Sequence, residues 1–172
     1  LAVLEAARAQ GIRAVCLSTA TLYGNDSLTQ TNGEDRQPDP VGVYDATKLM
    51  AETLCEAYRK SFRTDVASIR TSFVFGPGHS TGDYFVERVQ GGVKVIRAAG
   101  RDHPCEFTYV KDLAHGLLLA VEAPKLAHPV YNIAAGRTRT RGELAEIVMS
   151  LFPGVRIELE SGRDAGRHLR GP

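Results

Sequence analysis

The chain has 172 residues, 43% of them hydrophobic and 24% charged, which is enough apolar material for one core of ordinary size. Its formal net charge is +1, so the composition implies neither a nucleic acid nor an anionic membrane as a partner. No apolar run approaches the length of a membrane span. The three cysteines lack a CxxC spacing and are typical of reduced thiols in a cytoplasmic protein, and the five histidines lack the spacing of metal ligands.

Short helices and strands alternate in the first part of the chain. The apolar pattern predicts a helix over 1–10 that ends at Gly11, followed by a buried parallel strand over 14–17. A polar segment over 25–40 is typical of a loop. Helical periodicity then extends from 42 to 62, and it predicts a buried stripe made of Ala46, Leu49, Met50, Thr53, Leu54 and Ala57.

The alternation continues to the end of the chain. A Gly-Pro-Gly turn at 76–78 separates a strand from the helix that follows it. Alternation of this kind predicts an α/β fold with parallel strands. The predicted elements after the long helix are strands over 66–70, 93–96, 106–110, 130–133 and 155–159, and helices over 83–90, 113–122 and 143–151.

Tyr44 and Lys48 form the pair with the clearest chemical meaning. They lie four residues apart within the predicted helix over 42–62, so they share one face of it. An ammonium group beside a phenol favours the phenolate, and such a phenol is a usable general acid or base. A second hydroxyl, on Thr19 just after the predicted strand, can hold a substrate oxygen beside it.

Four stretches of the chain follow one another in a recognisable order. They are the hydroxyl-rich segment 17–24, the Tyr-x-x-x-Lys segment 44–48, the Arg-to-Gly-Pro-Gly segment 70–78, and the segment 107–112 with its continuation at 131–136. A Tyr-x-x-x-Lys spacing alone is weak, but four motifs in register are specific. Together they resemble the extended short-chain dehydrogenase/reductase family, the NAD-dependent epimerase/dehydratase group.

The resemblance implies a role for each residue that matches the family pattern. Thr19, Tyr44 and Lys48 are expected to be catalytic, with NAD or NADP as the cofactor and Lys48 also on the nicotinamide ribose. Arg70 is expected to be structural and to pair with an acidic neighbour. The expected cofactor-binding residues are Ser18, Tyr44, Lys48, Thr71, Ser72 and Phe73, and the expected substrate-binding residues are Thr19, Ala20 and Phe73.

Several positions depart from the sugar-nucleotide members of the family. Ala20 and Thr21 stand where dehydratases carry an Asp-Glu pair, which argues against the elimination of water. Phe73 and Cys105 stand where many members carry an asparagine and an arginine for a nucleotide sugar. An offset alignment, or a substitute such as Arg101, is the alternative. The balance favours hydride transfer at a secondary alcohol or ketone of a sugar-like or small polar substrate, by a dehydrogenase or an epimerase.

The sequence contains no glycine-rich phosphate loop, although the family's dinucleotide site begins with one. The resemblance therefore predicts an internal fragment, inactive by itself, with a natural short protein as the alternative. Residues 1–78 are expected to be the C-terminal half of a partial Rossmann-like parallel sheet with the active-site helix. Residues 79–172 are expected to be mostly a small α/β substrate-binding lobe, with segments around 106–136 returning to the sheet.

The resemblance also implies an assembly and leaves a second function open. Family members often dimerise through a four-helix bundle, so a homodimer that uses the helix carrying Tyr44 is expected of the complete enzyme. The alternative function is a non-catalytic relative that senses a cofactor or binds a partner. The presence of Thr19, Tyr44 and Lys48 together argues against that alternative, because a sensor has no need of all three.

Overall fold

The computed structural model describes residues 1–24, 32–76 and 85–163. Its helices are Ala2–Gln10 (α1), Val43–Phe62 (α2), Phe85–Gln90 (α3), Val110–Glu122 (α4) and Arg141–Leu151 (α5), with a 3-10 turn at Ala20–Tyr23. Its strands are Ala14–Leu17 (β1), Val66–Thr71 (β2), Phe73–Phe75 (β3), Val95–Ala98 (β4), Pro104–Cys105 (β5), Phe107–Tyr109 (β6), Val130–Ile133 (β7), Arg139–Thr140 (β8) and Arg156–Leu159 (β9).

Every predicted helix and strand has a counterpart, with ends displaced by up to three residues. The strands β3, β5 and β8 and the 3-10 turn were not predicted, because two- to four-residue elements carry too little periodicity. The predicted loop over 25–40 lies partly, and the predicted turn at 76–78 mostly, outside the described residues. Within the described ranges, no helix is long and apolar enough to cross a membrane.

The chain divides into two compact units, Leu1–Phe75 with Phe107–Gly136, and Gly76–Glu106 with Arg137–Pro172. The first unit contains a parallel sheet in the order β1-β2-β7, which confirms the predicted α/β class with parallel strands. The strand β2 is buried at all six positions, as expected of a central strand covered on both faces. The strands β3 and β6 form a separate parallel pair in the same unit.

Two apolar clusters cover the sheet of the first unit. Ala14 and Val66 pack with α1 and α2, through Leu4, Ala7, Cys55 and Tyr58. Val15 and Ile69 pack instead with α4, through Leu113 and Ala120. Because successive residues of a strand point to opposite faces, Ala14 and Val15 assign the two clusters to opposite sides of the sheet.

The predicted buried stripe of α2 is wrong. Met50 is 66% exposed and Leu54 41%, and the other positions of that stripe are exposed or only half-buried. The helix instead buries Asp45, Glu52, Cys55 and Tyr58. Periodicity located an apolar stripe correctly, but a polar contact described below turns the opposite face toward the sheet.

That contact is a buried ion pair between Arg70 of β2 and Glu52 of α2. The guanidinium donates from Nε and Nη2 to the two carboxylate oxygens, at 3.0 and 2.7 Å, with both side chains less than a tenth exposed. Its remaining Nη1 donates to the Tyr23 hydroxyl at 2.9 Å, and that hydroxyl donates to Asn132 Oδ1 at 2.9 Å. The expected acidic partner of Arg70 is thus Glu52, and the network joins α2, β2, β7 and the 3-10 turn.

A second arginine closes the amino ends of the strands. Arg13, just before β1, pairs with Asp65, just before β2, at 2.8 Å. Its Nη1 donates to carbonyl oxygens at the end of α4, Ala120 at 3.1 Å, Val121 and also Ala123. A cation at this position satisfies carbonyl groups that a helix leaves free and interacts favourably with the helix dipole.

The second unit is built around two further strand pairs. The strands β4 and β9 are parallel, and β5 and β8 are antiparallel. The helices α3 and α5 supply the core of this unit with Phe85, Val89, Ala145 and Val148, which pack on Ile96 and Ile157. At the start of α5 the Thr140 hydroxyl accepts from the Glu143 N–H and the Glu143 carboxylate accepts from the Thr140 N–H, so a capping box fixes the end of β8.

Replacing Glu52 by glutamine should destabilise the protein by about 3 to 5 kcal/mol, because it leaves the Arg70 charge buried without its counter-ion. The matched control is Glu56→Gln, one turn further along α2, where the carboxylate binds exposed Arg59 and Lys60. That change should cost less than about 1 kcal/mol. Urea unfolding followed by circular dichroism measures both, and equal losses would show that the buried pair does not hold α2 on the sheet.

Candidate active site

The first turn of α2 places Tyr44 and Lys48 one turn apart, as the spacing predicted. Gly42 is the N-cap, and its backbone N–H donates to the Asp45 carboxylate at 3.2 Å. The Tyr44 side chain is 59% exposed, and the Lys48 Nζ lies 5.8 Å from the centroid of the Tyr44 ring. The phenol is therefore open to a ligand, with a cation beside it.

The carboxyl end of β1 holds the lysine in place. The Lys48 ammonium donates to the carbonyl oxygen of Leu17, the last residue of that strand, at 3.1 Å. This contact joins α2 to the end of β1, two residues before Thr19. Sequence spacing could not show it, because it joins residues that are 31 positions apart.

Thr19 is buried and is already engaged locally. Its Oγ1 accepts from the Thr21 N–H at 3.2 Å and so caps the 3-10 turn, while Ala20 is the first residue of that turn. The same Oγ1 lies 3.0 Å from Thr21 Oγ1, and Thr21 Oγ1 donates to Asp45 Oδ1 at 2.5 Å. Local capping and a role in catalysis are compatible, since a threonine hydroxyl has one hydrogen and two lone pairs.

Asp45 was not foreseen as a member of this site. Although Ala20 and Thr21 themselves provide no carboxylate, the residue after Tyr44 brings one within hydrogen-bond distance of Thr21. The signal was present in the sequence, because an acidic residue three positions after Gly42 is a capping pattern. The sequence pattern does not show that Asp45 also accepts a hydrogen bond from Thr21, which lies 24 positions earlier in the chain.

Two buried hydroxyls lie at the carboxyl ends of neighbouring parallel strands. Ser18 follows β1 and Thr71 ends β2, and within the described part of the chain neither side-chain oxygen has a hydrogen-bond partner. Buried polar groups in native proteins are nearly always paired. Ligands of open α/β sheets bind at this edge of the sheet. The two unpaired hydroxyls therefore fit a ligand with several hydrogen-bonding groups, such as the ribose and carboxamide of a nicotinamide nucleotide.

The remaining predicted cofactor residues sit at the junction of β2 and β3. Ser72 Oγ forms a 2.7 Å hydrogen bond with Thr108 Oγ1, so its hydroxyl is committed within the protein. Phe73 is 36% exposed, and its ring centroid lies 6.1 Å from that of Phe107. These contacts attach Ser72 and Phe73 to the neighbouring strand β6.

Cys105 lies in the second unit, with Arg141 as a charged neighbour. Burial raises the pKa of the Cys105 thiol, and the nearby Arg141 guanidinium partly opposes that rise. Arg101, considered above as a substitute, pairs instead with Glu146 at 3.2 Å. Within the described residues, Cys105 thus has two arginine neighbours, Arg141 and Arg139, the latter being its partner across the β5–β8 pair.

A pair of thiols lies behind the site, between β1 and α2. The neighbouring Cys55 thiol lowers the pKa of Cys16 below its ordinary value, burial opposes that shift, and the charges of the amino terminus and of Lys48 add smaller contributions that lower it. Both cysteines are free thiols, with Cys16 half-buried and Cys55 buried. The pKa of Cys55 is shifted the opposite way, so Cys16 is the more readily ionised of the two thiols.

Residues 1–134 match the NAD dependent epimerase/dehydratase family. The chain belongs to this family. The match covers the whole first unit except its last two residues, including the strand ends and the α2 segment just described. The family resemblance of the four sequence stretches is therefore confirmed.

Curated members of the family are similar along most of the chain. It is 28% identical over 161 residues to UDP-glucuronic acid decarboxylase 1 of Danio rerio, covering 88% of this chain and 38% of that protein. It is 29% identical over 172 residues to the uncharacterized UDP-glucose epimerase YtcB of Bacillus subtilis, covering 97% and 51%. The chain thus spans about half the length, or less, of these relatives.

A solved family member shares the fold. The dTDP-glucose 4,6-dehydratase of Bacillus anthracis, in complex with NAD, superposes with a TM-score of 0.80 at 24% identity, covering 94% of this chain and 54% of that one. This likeness confirms the Rossmann-like class that the sequence predicted.

Alkylation of Cys16 by iodoacetamide should follow an apparent pKa below that of an ordinary thiol, because the thiolate is the reactive form. Its rate should level off above that pH and fall tenfold per pH unit below it. Cys105, whose pKa is raised by burial, is the internal control and should react slowly at neutral pH. The Cys55→Ala variant should move the Cys16 profile to higher pH, and an unmoved profile in mass-spectrometric peptide mapping would contradict the thiol contact.

Proposed function

We propose that the protein containing this chain is an NAD(P)-dependent oxidoreductase or epimerase, which transfers hydride at a secondary alcohol or ketone of a sugar-like or small polar substrate. The observation that carries the proposal is the joint placement of Tyr44, Lys48 and Thr19. The Leu17 and Asp45 contacts fix the helix and the strand end against each other on both sides of these residues. Family membership supports the same chemistry.

The chain's residues have distinct tasks in this proposal. Tyr44 takes the hydroxyl proton of the alcohol or returns it to the ketone. Lys48, held on the Leu17 carbonyl, favours the tyrosinate by its charge and hydrogen-bonds a ribose hydroxyl. Thr19 hydrogen-bonds the reacting oxygen.

The cofactor site of this chain would be formed by the residues at the strand ends. Ser18 and Thr71 would satisfy their buried hydroxyls on the nicotinamide nucleotide, with Tyr44, Lys48, Ser72 and Phe73 around it. The bound cofactor supplies the hydride acceptor or donor. Thr19, Ala20 and Phe73 would face the substrate, and the second unit would contribute the substrate-binding lobe.

The substrate class rests on the side chains that depart from the family pattern. In the first unit, the Phe73 side chain offers an aromatic face and no hydrogen bond. In the second unit, taken by itself, Arg139 and Arg141 beside Cys105 carry charges of the kind that bind a phosphate or carboxylate. Two substrate classes are therefore consistent with these side chains, a nucleotide sugar or a small polar alcohol. The free thiols support a cytoplasmic location.

Replacing Tyr44 by phenylalanine in the full-length gene product should lower turnover by about 100- to 10,000-fold, the usual contribution of a positioned acid–base group. NAD binding should change little, since the ring and Lys48 remain. Reduction of NAD would be followed by absorbance, and conversion of the substrate by chromatography. The probes are the sugar nucleotides UDP-glucose, UDP-glucuronic acid and dTDP-glucose, and L-threonine as a small polar alcohol.

The matched control is Tyr58→Phe, which removes a phenol from the same helix away from the site, where Tyr58 donates to Glu5. It should keep full turnover. Unchanged turnover in Tyr44→Phe would reject the catalytic assignment. If the unaltered enzyme binds NAD but neither reduces it nor converts any probe, the non-catalytic cofactor-sensing alternative is favoured.

The exposed apolar stripe of α2 supports a homodimer of the complete enzyme. Val43 is 83% exposed, and Met50 and Leu54 continue the same face at helical spacing, with Ala46 and Ala57 between and beyond them. An apolar stripe turned away from its own core is typical of an interaction surface. A second copy of α2 would cover it.

Replacing Met50 by lysine should convert the full-length dimer to a monomer, because it buries a charge in the centre of the proposed interface. Sedimentation at micromolar concentration measures the change. Ala51→Lys is the control and should leave the dimer intact, because Ala51 is exposed but lies about 100° around the helix axis from Met50, off the apolar stripe. A dimer that survives Met50→Lys would place the interface elsewhere.

A further inference from the structure

The hydrogen-bond chain from Thr19 to Asp45 has a direction that the donor count fixes. A carboxylate only accepts, so the hydrogen between Thr21 and Asp45 belongs to Thr21, at an oxygen separation of 2.5 Å. Thr21 has no second hydroxyl hydrogen. The 3.0 Å contact between the two threonine oxygens is therefore filled by the hydrogen of Thr19.

This direction decides what Thr19 can offer a ligand. With its hydrogen on Thr21, and one lone pair taken by the Thr21 N–H, the Thr19 oxygen has one lone pair left. It can accept from the hydroxyl of an alcohol. A ketone oxygen has no hydrogen to give, so to bind it Thr19 must turn its own hydrogen away from Thr21 and leave two lone pairs facing each other.

We propose that Asp45 is a positioning residue that acts through Thr21. It directs the hydroxyl hydrogen of Thr19 toward Thr21 and away from the substrate, and so stabilises the bound alcohol relative to the bound ketone. The inference rests on the proposed hydride transfer. In that reaction the alcohol carbon gives a hydride to the oxidised nicotinamide and its oxygen gives a proton to Tyr44, so the products are the ketone, the reduced nicotinamide and the neutral phenol.

The backbone of Gly42 makes the proposal testable by an isosteric change. Its N–H donates to Asp45 Oδ2 at 3.2 Å, so after Asp45→Asn the amide oxygen must take that place to keep the bond. The amide nitrogen then faces Thr21 and donates where the carboxylate accepted. Thr21 turns its hydrogen to Thr19, and the hydrogen of Thr19 becomes available to a ketone oxygen.

The experiment measures the internal equilibrium of the full-length gene product loaded with NAD. Excess enzyme is mixed with UDP-glucose, UDP-glucuronic acid, dTDP-glucose or L-threonine, and the absorbance of reduced nicotinamide at equilibrium gives the ratio of bound ketone to bound alcohol. Asp45→Asn should raise this ratio by roughly three- to tenfold, the size of one neutral hydrogen bond. Simple damage to the fold would lower it.

Thr21 provides a second route that does not alter the carboxylate. Thr21→Val frees the Thr19 hydrogen by removing its acceptor and should raise the ratio similarly, while Thr21→Ser should keep the unaltered value. Combining Asp45→Asn with Thr21→Val should add nothing to Thr21→Val alone. The matched control is Asp112→Asn, which removes a carboxylate from the first turn of α4 at an exposed position and should leave the ratio unchanged.

The outcomes separate the two proposals. An unaltered enzyme that forms reduced nicotinamide, with a ratio that Asp45→Asn leaves unchanged or lowers, overturns the positioning role and leaves hydride transfer standing. A further rise on adding Asp45→Asn to Thr21→Val also overturns it, because Asp45 would then act without Thr21. Absence of reduced nicotinamide in the unaltered enzyme with every probe overturns hydride transfer and the positioning role together.

Discussion

The buried ion pair between Arg70 and Glu52 is the contact on which the orientation of α2 depends. Two charges taken out of water are tolerated only when nearly every hydrogen-bonding group is satisfied, and here the guanidinium engages both carboxylate oxygens and the Tyr23 hydroxyl. The pair therefore specifies one rotation of α2 about its axis. That rotation points Tyr44 outward beside the strand ends and turns the apolar stripe away from the sheet.

The side chains of the proposed site are held by contacts at the ends of helices and strands, and not by packing in the core. The Leu17 carbonyl and the Gly42 amide are backbone groups at the end of a strand and the start of a helix, and the Thr19 hydroxyl caps the backbone N–H of Thr21 at the start of the 3-10 turn. Each binds a side chain of the proposed active site or its neighbour. The chemistry therefore depends on where elements stop, and a strand or helix one residue longer would remove an anchor.

Much of this could be predicted from the sequence, and the failures have a common cause. The alternation of elements, the α/β class and the Tyr44–Lys48 spacing are local or periodic, and they were predicted. The buried face of α2 was predicted wrongly, because periodicity detects an apolar stripe but not what covers it. Glu52 and Asp45 were missed as partners since their contacts lie with Arg70 and Thr21, residues distant along the chain.

The contacts of Arg13 suggest how such a protein can diverge. Arg13 joins β1, β2 and the end of α4 at the amino ends of the strands, whereas the proposed chemistry lies at their carboxyl ends. None of the side chains that Arg13 contacts takes part in the proposed site. Selection can therefore exchange residues around Thr19 and Phe73, and with them the substrate, while the opposite edge keeps the scaffold folded during the transition.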